Sequence, residues 1–171
     1  MKKTILFLSC LLALTSCHKS GVNLFVGDYS FKTSGEVSIM AEADIDDNNV
    51  NIPAALNVSL STDIGQLNIS PYDKKNDKVI VIINYLNGDV ITTTGTCDGK
   101  TIELDEYRRS TLPVSLSTLF SNNHDIRVSG IGHIYDDDMI VFDMTYNGKA
   151  TIGTVTFKIK DKDIQMVAYR N

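Results

Sequence analysis

Tryptophan is absent from this chain, and proline, cysteine and histidine are scarce, with three of each in 171 residues. So little proline, beside 22% charged and 43% hydrophobic residues, excludes a disordered tail, a collagen or a coiled coil. Three cysteines do not make a disulfide scaffold. Basic side chains are in deficit: 16 Lys and Arg face 21 Asp and Glu, a net charge of −5. No basic cluster stands out, which argues against nucleic acid, whose phosphates are held by grouped Lys and Arg that release counterions. Long apolar runs are missing too. The longest, Thr4 to Leu14, falls short of the about 20 residues that span a bilayer. What is left is one ordinary globular domain.

The parts for catalysis are equally few. No H-x-x-x-H, C-x-x-C or G-x-S-x-G occurs, so zinc and acyl-enzyme templates lack their residues. His124 and His133 lie nine residues apart, roughly 30 Å on an extended strand, too far to share a metal unless the chain bends. His133 alternates with Arg127, Ser129, Ile131 and Tyr135 on a mixed face, which fits a solvated histidine better than a general base. Asp44-Ile45-Asp46-Asp47-Asn48-Asn49 opens like a calcium loop, but Asn49 stands where an EF-hand needs glycine and Ala55 where it needs a bidentate glutamate. Asp136-Asp137-Asp138 reads as a hairpin tip before a cation site. The expectation is a protein with no catalytic residue, no metal and no cofactor. A carboxylate-based hydrolase is the weakest alternative, because its acids need closeness in space and not in sequence.

The N-terminus carries the strongest motif. Met1-Lys2-Lys3 is a basic start, Thr4 to Leu14 an apolar run, and Leu14-Thr15-Ser16-Cys17 closes it. These four residues resemble a bacterial lipobox. The resemblance implies cleavage between Ser16 and Cys17, a diacylglycerol on the Cys17 thiol and attachment to a membrane through that lipid. Residues 1–16 would then be signal peptide, 17–24 a lipidated tether and 25–171 a single antiparallel β domain. Two or three acyl chains hold where one does not, since each buried CH2 contributes about 0.8 kcal/mol. His18 is not the aspartate of an inner-membrane retention signal, and His18 to Val22 does not look like an acidic surface-export signal. That points to the outer membrane, on its periplasmic face, with the cell surface as the alternative.

Cleavage would remove Lys2 and Lys3 and leave 155 residues carrying 14 basic against 21 acidic side chains, a net of −7. Such a body is repelled by anionic headgroups, so attachment must come from the lipid. Cys10 leaves with the signal and Cys17 is acylated, so Cys97 has no partner for an intramolecular disulfide and reads as a small buried hydrophobe.

From Phe25 onward, turn dipeptides alternate with segments rich in Val, Ile, Thr, Tyr and Phe, the pattern of antiparallel sheet. Asn87-Gly88, Asp98-Gly99 and Asn147-Gly148 are the strongest hairpin signals, because type I′ turns need positive φ at both central residues. Ser34-Gly35, Asp136-Asp137 and Asp161-Lys162 are weaker ones. The spacing predicts strands over 25–32, 36–43, 55–61, 65–70, 78–86, 89–97, 100–107, 125–135, 138–146, 150–160 and 163–170. Ile102 and Leu104 oppose Thr101, Glu103 and Asp105, and Val155, Phe157 and Ile159 oppose Thr156, Lys158 and Lys160, both with period two. Val79 to Ile83 and Met139 to Phe142 are apolar throughout, which predicts cover on both faces. Leu112 to Phe120, with Pro113 at its start, predicts a short helix that plugs a barrel mouth or covers a sheet.

A meander of this kind with one short helix resembles the calycin-like or lipocalin-like lipoproteins of Bacteroidetes. Phe25-Val26-Gly27-Asp28-Tyr29 is similar to the Gly-x-Trp opening of lipocalins with Tyr29 for the tryptophan, and Val128-Ser129-Gly130-Ile131-Gly132 is similar to a run in the small lipoprotein families. The resemblance implies an all-β fold closing into a calycin-like barrel, with a two-sheet β-sandwich as the alternative, and an arginine, here Arg170, packed on Tyr29. Gly130 and Gly132 also have a plain reading as a bend in a strand. The expected function is a non-enzymatic envelope module that binds a small apolar ligand, a glycan fragment or an envelope protein. Tyr29, Phe31, Tyr85, Phe142, Met144, Tyr146 and Phe157 are its apolar supply. A structural or inhibitory interaction module using strand edges or hairpin tips is the rival.

Overall fold

A computed structural model describes residues 21–42, 55–61, 63–72, 77–111, 125–152 and 155–171. The lipobox, His18, the Asp44–Asn49 segment, the expected helix over 112–120 and His124 lie outside the described residues. Within them, alternation of apolar and polar side chains produces nine strands preceded by one helical turn. The turn, α1, spans Val22–Phe25. The strands are β1 Gly27–Glu42, β2 Ala55–Ser59, β3 Asp63–Pro71, β4 Lys78–Tyr85, β5 Val90–Asp98, β6 Thr101–Arg109, β7 Asp125–Asp136, β8 Met139–Ile152 and β9 Val155–Arg170.

Every pairing is antiparallel, and the sheet closes on itself. β1 pairs with β9 along almost its whole length, from Tyr29↔Arg170 to Glu42↔Thr156. On its other side the first half of β1 pairs with β3 and the second half with β2. β2 and β3 therefore act as one strand interrupted opposite Gly35, whose carbonyl accepts the Leu60 N–H at 2.8 Å. Nine strands thus make eight staves, and the fold is a closed barrel rather than a two-sheet sandwich. Eight staves leave a bore just wide enough for side chains to fill.

Side chains do fill it. Tyr29, Phe31, Tyr85, Phe142, Met144 and Tyr146 are buried in the core, and Phe157 packs half-buried against it. On β7, a Cβ at Gly130 would lie 2.6 Å from the Met144 sulfur and one at Gly132 2.5 Å from the Phe142 ring, so these glycines make room for the large side chains of β8. Val79, Val81 and Ile83 point inward, while Ile80 and Ile82 are only half-buried on the outer wall; Ile140 and Phe142 point inward, and Met139 and Val141 are half-buried. The expectation of cover on both faces of these two strands is corrected: a barrel wall has one inner face, and the side chains on the outer one are only half-buried.

Three expected turns are strand interior instead. Ser34-Gly35 lies within β1, Asn147-Gly148 within β8 and Asp161-Lys162 within β9. At each place the ladder is irregular rather than reversed. The β1–β9 register shifts between Ser34 and Glu36, with Asp163 on the other strand at φ 54°, and the β8–β9 register shifts between Met144 and Asn147. Gly35 has φ 139°, and a Cβ there would sit 2.5 Å from the Asp163 carbonyl oxygen. These are β-bulges, which bend long strands around a barrel. The chain does reverse near Asn87-Gly88 and Asp98-Gly99, but not in type I′ turns, since neither Asn87 nor Asp98 has positive φ. The second reversal lies at Gly99-Lys100, between the paired Asp98 and Thr101. The Asp136-Asp137 signal turns one residue later, at Asp137-Asp138, where the Asp138 N–H donates to Asp136 Oδ1 at 3.0 Å.

The barrel has two unlike ends. At one, α1 folds Val22 and Phe25 into the core, so packing begins inside the stretch expected to be tether. At the other, β1, β2, β8 and β9 rise past β4, β5 and β6 and form a taller wall carrying Val37, Ile39, Val58 and Ile159 on its inner face.

Candidate functional site

The end opposite α1 holds a polar group that the sequence reading missed. Strict alternation from Ile102 and Leu104 would point Glu106 and Arg108 into the bore. The β6–β7 register shifts between Leu104 and Tyr107, and that bulge turns Tyr107 and Arg109 inward instead. Glu106, a charged residue on the inner parity, hints that strict alternation fails, but the pairing with β7 decides where the register slips.

Arg109 lies at the end of β6 with its side chain fully buried, across from Asp63 at the start of β3. Its Nη1 donates to Asp63 Oδ2 at 2.6 Å and, more weakly, to the Tyr146 hydroxyl at 3.5 Å. The guanidinium carbon stands 3.9 Å from the ring centre of Tyr85. Tyr85 in turn shares a hydroxyl hydrogen bond of 3.1 Å with Tyr107 and meets the Phe31 ring edge-on at 5.3 Å. Arg109 Nε and Nη2 are buried without a hydrogen-bond partner among the described residues. Each such donor costs about 1–3 kcal/mol when left unmade.

Charge in this cluster is settled by burial and by neighbours. Burial works against the Arg109 charge, but Tyr85, Tyr146 and Asp63 outweigh it and the group holds its proton more firmly than a free arginine. Burial raises the Asp63 carboxyl above its usual 3.8, with Arg109 opposing. Burial likewise raises Tyr85, Tyr107 and Tyr146 above the usual 10.0, so all three hydroxyls are neutral donors near neutral pH.

Beside this cluster the wall is open. β5 and β6 pair only from Gly95↔Leu104 to Asp98↔Thr101, although β5 runs on to Val90 and β6 to Arg109. Thr93 Oγ1 donates to the Asp105 carbonyl at 3.0 Å and Thr94 Oγ1 to the Asp105 carboxylate, closing the lower margin. Thr111 Oγ1 donates to Asp89 Oδ2 at 2.8 Å and closes the rim. Between them lies a cleft of about 630 Å³ lined, among the described residues, by Asp89, Val90, Ile91, Arg108, Arg109, Ser110 and Asp125.

The residues singled out from the sequence lie elsewhere. Gly27, Tyr29 and Arg170 come together at the capped end. Arg170 stands 4.9 Å from the Tyr29 ring centre, and its Nη1 donates to the Val26 carbonyl at 2.8 Å. Its Nη2 donates to the Leu24 carbonyl at 3.0 Å and to the Tyr29 hydroxyl at 2.6 Å, and that hydroxyl donates to the Phe25 carbonyl at 2.8 Å. His133 is exposed on the outer wall beside Thr101 Oγ1 at 3.3 Å. Cys97 is buried, and burial with Asp77 nearby pushes its thiol up to about 11. No group of three or more His, Cys, Asp or Glu able to hold a metal occurs among the described residues.

No protein-family model matches this chain, and neither does any curated protein. Solved structures with a similar outline include EF1p2_mFAP2b bound to DFHBI, at 11% identity over 91% of this chain and 100% of its own, with a TM-score of 0.47. A redesigned β-barrel, mFAP1, bound to DFHBI, is 14% identical over 88% of this chain and 99% of its own, with a TM-score of 0.39. The closed barrel rests on the strand pairing alone.

Proposed function

We propose that the protein is a non-enzymatic, lipid-anchored cell-envelope binding module, attached through Cys17 on the periplasmic face of the outer membrane, that takes its ligand at the β5–β6 cleft. The observation that carries the binding reading is the interrupted β5–β6 ladder beside a fully buried arginine with unmade hydrogen bonds. A wall opened for no purpose forfeits ladder hydrogen bonds, so a ligand with polar groups has a place to regain them. The filled bore favours a small ligand in the wall over an apolar one in the interior.

Two measurements test this reading. Labelling cells with radioactive palmitate is expected to mark the full-length protein and to fail with Cys17→Ala; label surviving in that variant removes the anchor. Native mass spectrometry of the purified protein against fatty acids, glycan fragments and short peptides is expected to find a bound species that Val90→Trp, which fills the cleft, abolishes. No bound species in the whole panel removes the cleft reading.

A second reading, an interaction module without a pocket, has one observation in its favour. Leu86 is 76% and Val90 66% exposed at the rim, and Leu86 N–H donates to the carbonyl of exposed Ile64 at 2.9 Å. A stoichiometric partner crosslinked at Leu86 in cells would support it.

A further inference from the structure

We infer that the outer wall of β7, β8 and β9 carries a docking surface separate from the β5–β6 cleft, and that its occupant is an acidic polysaccharide. A groove of about 400 Å³ is lined there, among the described residues, by exposed Arg127, Asn147, Lys149, Lys158 and Lys160, with exposed Asp125 as its one carboxylate. Four cations against one acid reverse the balance of the chain as a whole, which carries a net −5. No run of sequence shows this, because the four cations come from three strands and meet only through the ladder. Arg127 stands opposite Asn147, Asn147 opposite Lys160, and Lys149 opposite Lys158. Arg108 on β6 continues the row beyond Arg127, and Ser38 on β1 continues it beyond Lys160. Five adjoining strands spaced about 4.8 Å apart make the row roughly 19 Å long.

Stability does not favour the arrangement. Arg108 faces Arg127 and Lys149 faces Lys158 across the ladder, and like charges directly opposite destabilise a sheet. The acids paired with the two arginines hold them loosely: Arg108 Nε is 3.6 Å from Asp125 Oδ1 and Arg127 Nη1 4.0 Å from Glu106 Oε1, with all four side chains more than half exposed. Exposed pairs contribute about 0–1 kcal/mol, so an anion from solution displaces them at little cost. The form of the groove then selects among anions. A bilayer is flat, whereas this groove is sunk in the convex outside of a barrel, so headgroups would meet its rims and a flexible chain its floor. Single-stranded nucleic acid is held by aromatic side chains on which its bases stack, and no aromatic lines the groove among the described residues. An acidic peptide docks on a sheet by adding to a free edge, and β7, β8 and β9 are each paired on both sides. An acidic sugar chain needs spaced cations with neutral groups between them for its hydroxyls. Arg127, Asn147, Lys160 and Ser38 follow one another in that order.

The test titrates fluorescein-labelled oligogalacturonate with the full-length protein in detergent and reads anisotropy. Saturable binding is expected, and none to the methyl-esterified, uncharged form of the same sugar chain. Arg127→Glu with Lys160→Glu is expected to weaken binding roughly tenfold or more, since anion binding of this kind follows the number of cations engaged. Both side chains are exposed, so the melting temperature should stay in place and show that the fold is kept. Lys32→Glu with Lys100→Glu changes the net charge equally at exposed positions that do not line the groove, and is expected to alter binding by less than about twofold. Val90→Trp, which fills the β5–β6 cleft, should leave this binding unchanged, so the two surfaces stand or fall separately. No binding of the oligogalacturonate, equal binding of its uncharged form, or equal weakening by both charge-reversed pairs overturns the inference. So does tighter binding to phosphatidylglycerol vesicles, polyglutamate or single-stranded DNA, each used in competition with the labelled sugar chain.

Discussion

Each end of the barrel carries an arginine over a tyrosine, Arg170 over Tyr29 at the cap and Arg109 over Tyr85 at the mouth. Around the cap arginine the hydrogen bonds close: two backbone carbonyls of the α1 segment and the tyrosine hydroxyl take its donors. Around the mouth arginine they stop after Nη1, although it is the more deeply buried of the two. The same pair of residue types therefore does two jobs. Arg170 ties the entering chain to the last strand and acts as a structural clasp. Arg109 is kept charged in a dry place with Nε and Nη2 unpaired among the described residues, an arrangement that stability alone does not select.

The comparison can be broken most forcefully at the mouth. Arg109→Ala leaves Asp63 buried without its partner and is expected to cost about 3–5 kcal/mol in urea unfolding. The double variant Asp63→Leu with Arg109→Met removes both charges and is expected to be neutral or stabilising by about 1–4 kcal/mol. A double variant as damaged as the single one would make Arg109 a structural residue after all. At the cap, Arg170→Ala loses two carbonyl bonds, a hydroxyl bond and the stacking, and is expected to cost about 2–3 kcal/mol, with no compensating partner change to rescue it.

Alkali separates the ends by degree. Burial raises the tyrosines of both, three at the mouth and Tyr29 at the cap, above the usual 10.0. Unfolded tyrosines lose protons first, so the stability these groups contribute is complete below pH 10 and is lost as the pH climbs toward their folded values. The melting temperature should therefore fall once the pH passes about 10. Tyr146→Phe should blunt the fall more than Tyr29→Phe, since Tyr146 is the more strongly raised. Equal blunting would erase the distinction. The smallest effect belongs to Cys97, which packs near Gly21 at the capped end. Its raised, buried thiol should resist alkylation by iodoacetamide at pH 8 until denaturant is added, and rapid native labelling would show that the cap opens.

How much of this was legible depended on what the ladder did with each residue. The places where the chain reverses near Asn87-Gly88 and Asp98-Gly99, and the alternation through Ile102 and Leu104, follow from local chemistry, although the turn type differs because Asn87 and Asp98 keep negative φ. Asn147-Gly148 has the same local chemistry but stays in β8, paired to β7 through Arg127 and Ile126 and to β9 through Lys160 and Ile159. Its glycine serves closeness, since a Cβ at Gly148 would lie 2.6 Å from the Asp125 carbonyl oxygen. Bulges and turns recruit the same residues, and only the partners on either side decide between them. Arg109 escaped for that reason. The bulge that turns it inward is a property of the β6–β7 register, which one strand read by itself does not contain.

The ring closure also brings the start of the first strand beside the end of the last. Asn171 donates its N–H to the Asp28 carbonyl at 2.9 Å, one residue past the glycine that begins β1. A linker from Asn171 to the residue before β1, in place of everything N-terminal to it, would make a circular barrel with every stave in its present place, and new ends could then be opened between β4 and β5. Order along the chain and order around the ring are thus separable here: the β1–β9 seam is a joint like the others, and the barrel has no stave from which it must begin.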